Sequence, residues 1–312
     1  MRYLIINADG YGFTAGVTRA IEECVAFGTV RSMSVNVNFS HADALPALVR
    51  RYPDLSVGCH INPVVGRPVL PPDKVPTLLN ANGEFLYQDF IRSFLSRRIN
   101  PDELRAEMVA QVEKTRDMAG AAFSHVDFHM GHHRLPRLYG CFLEIAEKFG
   151  TGRIRTHVYR VGLESNHPRL RHWRHLLERP ERLPKFIWNY ALRQKARWRS
   201  LAMPDRRVEI THMVNDPERI NLENYLQMLR NLPRGISEFV AHPGYVDDDL
   251  KRWSTYRGPR LAERRVLLDL EFRAALQSSE VQLIGYRDVP LPRRIKGAST
   301  LGMRSRSVLS EK

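Results

Sequence analysis

The sequence predicts an α/β fold on a parallel sheet. Short strand-like apolar runs alternate with amphipathic helical patterns, and glycines or prolines punctuate the changeovers. Charged or imidazole groups stand where several of the strand-like runs end. Strands are expected over residues 3–8, 32–38, 55–60, 125–129, 208–211, 238–241 and 281–284. The first ends in Asp9 and Gly10 within "IINADGYGFTAG". Such a pair is ordinary turn chemistry, and it is also how loops at one end of a parallel sheet build a site.

Helices are expected between the strands. Residues 14–27 offer Thr14 as an N-cap, apolar positions at Val17, Ala20, Ile21 and Cys24, and a stop at Gly28. Residues 102–118 follow Pro101, residues 136–148 are closed by Gly150, and residues 261–276 form the fourth pattern. Residues 62–85 contain "GRPVLPPDKVPTLLNANGEF", too rich in Pro, Gly and Asn for regular structure, and such a long loop beside a sheet end is expected to wall a binding site.

At 312 residues, 43% hydrophobic and 26% charged, the chain has the composition of a globular protein with a sizeable core. No run approaches the ~18 apolar residues of a spanning helix. Met1 leads directly into a strand with no secretory pattern, so the expected location is cytoplasmic. Cys24, Cys59 and Cys141 are too few and scattered for a disulfide framework or thiolate metal site, and read as small core residues.

The net charge of +14 is regional. Residues 151–200 hold 13 Lys or Arg against 3 Asp or Glu, and residues 292–312 hold 6 against 1. Residues 167–203 add three of the four tryptophans, Trp173, Trp188 and Trp198. Cations around aromatic and aliphatic groups suit a helix lying at an anionic membrane surface; a helical insertion packed on the main domain is the plainer alternative. The charge alone would also suit nucleic acid, but no nucleic-acid motif accompanies it.

The chemistry gathers at strand ends: Asp9 in the first, His60 in "VGCHIN", Asp127 and His129 in "SHVDFHMGHH", and His242 in "FVAHPGY". In a parallel sheet these ends face one mouth. A single such histidine is most often structural, but three together with an aspartate point to a site. Imidazole and carboxylate are ligands for zinc and similar ions, and such an ion makes water nucleophilic at neutral pH. His60 and His129 are candidate ligands, Asp9 a candidate base and His242 a candidate donor of a proton to a leaving amine.

"LIINADGYGFTAGVTRAIEECVAFGTVRSMSVNVNF", "VGCHINPVVGRPVLPP", "SHVDFHMGHH" and "FVAHPGY" together resemble the motifs of the YdjC-like carbohydrate deacetylases, a family that includes chitooligosaccharide and hopanoid-biosynthesis deacetylases. The "GRPVLPP" loop is similar to the hopanoid type. The resemblance implies a distorted (β/α) barrel of the polysaccharide-deacetylase-like kind, carrying a basic helical insertion over 160–205. The domain reading is one barrel over 1–290 with a disordered basic tail over 291–312. The resemblance also implies a divalent metal ion, zinc or magnesium, and hydrolysis of the N-acetyl group of an amino sugar, free or carried on a lipid or other glycoconjugate. His60 and His129 match the family's metal-binding histidines, Asp9 the first of its paired aspartates and His242 its proton donor. Asn62, Arg67 and His133 fall in neighbouring motif positions with no role assigned, and His125 and His132 read as supporting or structural.

The family's second aspartate, a metal ligand, corresponds here to Gly10, and Met130 and Gly131 interrupt the usual histidine pattern. Either Asp9 becomes the third ligand, or the two histidines hold the metal with water or substrate, or the metal is lost. The last outcome would leave a catalytically silent carbohydrate-binding protein. The partner expectations are an N-acetylated sugar or glycoconjugate, an anionic membrane face through 167–203 and a homodimer, with the chain peripheral at the inner face of the membrane and nucleic acid not expected.

Overall fold

The structure is a computed structural model, and it describes residues 1–210 and 217–292. The expected tail from residue 293 onward, and the last residue of the strand expected over 208–211, lie outside the described residues.

Eight parallel strands form the centre: β1 (Arg2–Tyr11), β2 (Ser32–Val35), β3 (Ser56–Ile61), β4 (Phe123–Phe128), β5 (Tyr159–Val161), β6 (Arg206–Glu209), β7 (Gly235–Ala241) and β8 (Val281–Ile284). Their order is β4-β3-β2-β1-β7-β6-β5. β1 is paired on both edges over most of its length: β8 takes Arg2 to Ile5 and β2 takes Asn7 to Tyr11 on one side, while β7 takes Arg2 to Ala8 on the other. That explains its nearly unbroken burial from Leu4 to Phe13, the pattern of a parallel strand covered on both faces.

The sheet curls as a distorted (β/α) barrel but does not close. Between β4 and β5 only isolated bridges, Val126 to Ile154 and Arg153 to Ala202, carry the ladder onward. The segment carrying Arg155 runs through this gap.

The helices follow their local chemistry. The Thr14 side chain accepts a hydrogen bond from the Val17 N–H, opening the helix Ala15–Phe27, and Gly28 closes it in the left-handed conformation at φ 87°. The helix Pro101–Ala119 starts at an Asn100 cap, and Leu138–Lys148 begins two residues later than expected. The pattern over 261–276 is in fact two helices, Gly258–Leu267 and Leu270–Ser278. Asp269 divides them, its side chain accepting from the Glu271 and Phe272 N–H groups; a short carboxylate caps better than it continues a helix. β2 stops at Val35, short of the expected residue 38, because the Asn36 N–H turns to the Tyr11 carbonyl and the Phe39 N–H to the Asn36 carbonyl.

Residues 62–85 contain two single-turn 3₁₀ pieces and one isolated antiparallel bridge, Leu79 to Phe85, with no longer element, as their composition suggests. Buried carboxylate and amide groups hold the loop: Glu107 accepts from the Val69 and Leu70 N–H groups, and Asn62 from those of Val64 and Val65. The basic segment folds as two helices, Pro168–Leu177 and Leu183–Trp198.

Candidate active site

The mouth at the C-terminal ends of the strands gathers Asp9 from β1, His60 from β3, Asp127 and His129 from the end of β4, and Glu238 and His242 from β7 and the residue after it. A polar ladder lines the route inward. Ser32 donates to the Asn7 Oδ1 at 2.7 Å, and Asn7 Nδ2 donates to Asp9 and Ser34, each at 2.8 Å. Ser34 donates to Asp127 at 2.9 Å and lies 3.2 Å from His125 Nε2. His125 stacks on Tyr286 and is held neutral by burial, its pKa pushed down to about 3. A Cβ on Gly58 would lie 2.3 Å from the His125 ring, so "VGCHIN" needs its glycine to admit this histidine.

Arg155 is the hub. Its Nη1 lies 2.7 Å from Asp9 Oδ2, its Nη2 2.6 Å from Asp9 Oδ1 and 2.7 Å from Asp127 Oδ2, and its Nε 2.8 Å from Glu238 Oε1. Burial alone would raise the Asp9 and Asp127 pKa values, but Arg155 and then His60 outweigh it and hold both carboxylates well below the usual range. Glu238 moves the other way, its pKa raised by burial.

His60 Nδ1 lies 2.7 Å from Asp127 Oδ1 and 4.0 Å from Asp9 Oδ2. Loss of water disfavours its charge, yet Asp127 and Asp9 together raise its pKa. With Nδ1–H directed at Asp127, His60 would offer Nε2 to an ion, since a carboxylate in this position orients a histidine ligand. The His129 ring stands edge-on to His60 with centroids 5.3 Å apart, and burial keeps it neutral, with a pKa well below the ordinary value.

These residues fit a divalent cation. Asp9, His60 and Asp127 each offer a ligand atom, all within 4.8 Å of one another, and the two aspartates, held anionic, are the hard oxygen donors that such an ion takes. Arg155 already engages Asp9 and Asp127, and His129 stands next to this group, ring to ring with His60, without belonging to it.

His242 is about one-third exposed, with Nε2 4.0 Å from Asp9 Oδ2. Its pKa is lowered to about 3 by loss of water, with Arg260 and Arg155 adding to the effect against Asp9. Its backbone N–H donates to Glu263, which also accepts from the Tyr256 hydroxyl at 2.6 Å.

Gly10 occupies a bulge. The β1–β2 register steps between Asp9 and Tyr11, leaving Gly10 unpaired at φ 103°. A Cβ there would meet nothing closer than 3.7 Å, its neighbours being Val17, Asn36 and Phe13. Asn36 is 1% exposed, and neither atom of its amide has a hydrogen-bond partner.

The sequence pattern of the YdjC-like proteins matches residues 3–278. The chain belongs to the YdjC-like protein family. Among YdjC-like relatives, a carbohydrate deacetylase of Thermoanaerobacter pseudethanolicus is 26% identical over 92% of this chain and 98% of its own length. One from Geobacillus stearothermophilus is 26% identical over the same shares. A solved structure from Enterococcus faecalis V583, provisionally named a cellobiose-phosphate cleavage protein, shares the fold with a TM-score of 0.70 at 24% identity, covering 91% of this chain and 97% of that one.

Of the residues expected at a YdjC-like site, Asp9, His60, His129 and His242 come together at the mouth. His132 instead stacks on Phe90, and Asn62 holds the loop after β3. Arg67 is exposed and His133 is buried among Phe128, Phe142 and His157. Arg155, the strongest electrostatic feature of the site, is one of the 13 basic residues counted over 151–200 and so reads in sequence as surface charge. In the fold it is buried, and the surrounding sequence, "TGRIRTHVYR", is too polar and basic to mark it as a core position.

Proposed function

We propose that this chain is a metal-dependent carbohydrate deacetylase that hydrolyses the N-acetyl group of an amino sugar. The observation that carries the reading is the meeting of Asp9, His60, His129 and His242 at one strand-end mouth beside the buried carboxylate of Asp127. The names of the relatives, carbohydrate deacetylases aligned over nearly their whole length, support it.

His60 and His129 would hold the ion, with Asp9 as the nearest carboxylate and either a third ligand or the base. A divalent ion, zinc or magnesium, supplies a more acidic water and polarises the amide carbonyl. Asp127 fixes the His60 ring through Nδ1. Arg155 orients Asp9 and keeps it anionic at rest; as base, Asp9 would give up one of the Arg155 hydrogen bonds to take the proton released by the attacking water, and pass it toward His242 Nε2, 4.0 Å away. His242, neutral at rest and open to solvent on one side, then carries that proton to the departing amine nitrogen. Glu263 and Tyr256 hold His242 in place from behind. The reading extends to a sugar carried on a lipid or other large aglycone, and to a protein working at an anionic membrane face.

Acetate release from N-acetylglucosaminyl substrates, with zinc, nickel, cobalt or magnesium added, tests the reading. Wild type should release acetate, and His60→Ala and His129→Ala should lose both activity and bound metal. Equal release by all three proteins would sink the metal assignment.

A second reading, a silent carbohydrate-binding protein, is favoured by Gly10 and by the occupation of both Asp9 oxygens by Arg155. It predicts sugar binding without metal uptake or acetate release.

A further inference from the structure

Both helices of the basic segment carry exposed apolar groups. In Pro168–Leu177 His172 and His175 are buried, while Leu170, Trp173 and Leu177 follow i, i+3, i+7 spacing and stand in solvent. Trp173 is 61% exposed and Leu177 76%. In Leu183–Trp198 the buried face is Asn189, Leu192 and Ala196, and the opposite face carries Leu183, Ile187, Tyr190 and Trp198. Ile187 is 61% exposed and Trp198 83%. A soluble helix places its apolar stripe toward the core; here both helices expose one.

Cations flank these stripes. Lys195 and Arg197 border the second, and Arg169, Arg171 and Arg174 surround the first. An apolar face with large aromatic and aliphatic groups, bordered by Lys and Arg, matches the composition that seats a helix among anionic headgroups. A second copy of this chain is a poorer occupant. Residues 151–200 hold 13 cations against 3 carboxylates, so two copies meeting there would bring like charge together.

The inner side of the second helix packs beside the mouth. The Trp188 indole donates to the Arg134 carbonyl at 3.0 Å, and Arg134 ends the turn that His129 begins. The Tyr139 hydroxyl ties the Leu192 carbonyl to the helix that follows this turn.

We infer that the helices Pro168–Leu177 and Leu183–Trp198 form a docking surface for an anionic lipid bilayer, with the strand-end mouth beside the second of them. The docking stands on the helices alone; the consequence that the sugar is presented from a lipid rests on the deacetylase reading.

The experiment is co-sedimentation and tryptophan emission of the full chain with vesicles of phosphatidylglycerol and phosphatidylcholine in equal parts, against phosphatidylcholine alone. Wild type should bind the anionic vesicles with a blue shift and lose binding as salt rises. A Trp173→Ser, Leu177→Ser, Ile187→Ser, Trp198→Ser variant should bind at least about tenfold more weakly, with unchanged circular dichroism because all four side chains are exposed. A Lys195→Glu, Arg197→Glu variant should also weaken. Absence of vesicle binding by wild type, or equal binding to neutral and anionic vesicles, overturns the inference. So does full retention by the apolar variant, which would mark a general polyanion surface. Light scattering that shows a wild-type dimer turned monomeric by the apolar variant, without a vesicle effect, assigns the face to a second copy and also overturns it. Acetate release from a soluble N-acetylglucosaminide should be the same for wild type and both variants, so failure of docking and failure of the deacetylase reading are separately visible.

Discussion

Arg155 grips Asp9 with both terminal nitrogens, Nη1 2.7 Å from Oδ2 and Nη2 2.6 Å from Oδ1, in a buried two-pronged pair. The same guanidinium reaches Asp127 and Glu238, so one cation organises three carboxylates from three strands. Asp9 is thereby fixed as an anion at the end of β1 and cannot swing toward a ligand without giving up a hydrogen bond to Arg155.

Removing that cation should be severe. Arg155→Met leaves buried carboxylates uncompensated and is expected to lower stability by ~3–5 kcal/mol at neutral pH. The pH dependence identifies the cause. The Asp9 pKa is depressed below its ordinary 3.8, so its contribution is present above that value and is lost as the pH falls below it. In Arg155→Met the depression disappears and the carboxylates gain by protonation, so acidification toward pH 4 should narrow the gap to wild type. Urea unfolding at pH 4 and pH 7.5 checks this; an equal gap at both would refute the electrostatic account.

Gly10 separates two effects that its sequence position confounds. The bulge holds φ at 103°, where a side chain is strained, although the space around a Cβ is open. Gly10→Ala is expected to cost ~1–3 kcal/mol through backbone strain alone. Gly10→Asp should carry the same strain but recover stability on adding zinc, while Gly10→Ala should not. Thermal unfolding with and without metal, together with elemental analysis, distinguishes the two. A metal response no larger in Gly10→Asp than in wild type would mean that this position does not face the ion.

Much of the architecture was legible because period and punctuation agree. The strands of β1, β3, β4, β7 and β8 carry apolar runs between clear breaks, and Thr14 and Gly28 bracket their helix in the way capping chemistry requires. β5 was not legible, since its three residues carry too little pattern, and Asp269 looks like an exposed helical residue until its side chain is seen to cap the next helix. In the site, the strand-end histidines and Asp9 stood out because imidazole and carboxylate are uncommon in apolar runs. Arg155 did not, because it lies among surface arginines of the same segment, and only the gap between β4 and β5 reveals where it points.

Glu263 gives a second pH signature of opposite sign. Burial raises its pKa from 4.5 to about 7, even though the Tyr256 hydroxyl and the His242 N–H both favour its charged form. The folded state therefore holds a proton that the unfolded chain has released. That contribution is fully present below pH 4.5 and is lost as the pH rises through about 7. Glu263→Gln cannot titrate and should flatten the fall of Tm between pH 5 and pH 8. An unchanged slope would show that Glu263 is ionised throughout.

Asn36 supplies the last expectation. Its amide is buried beside the open space at Gly10, with neither atom bonded. An unpaired buried polar group of this kind is destabilising by ~1–3 kcal/mol, and an apolar residue of similar shape removes the penalty. Asn36→Leu should therefore unfold at a higher temperature in metal-free protein, by about 2–4 °C for each kcal/mol recovered. The amide lies beside Gly10 and therefore next to Asp9, so a ligand at the mouth would supply the missing partner. The variant should accordingly gain less stability than wild type when zinc and N-acetylglucosamine are added, which calorimetric unfolding with and without both additives would read. A variant that is less stable than wild type in the metal-free state would instead mean that the amide is paired in solution, and would remove Asn36 from the site.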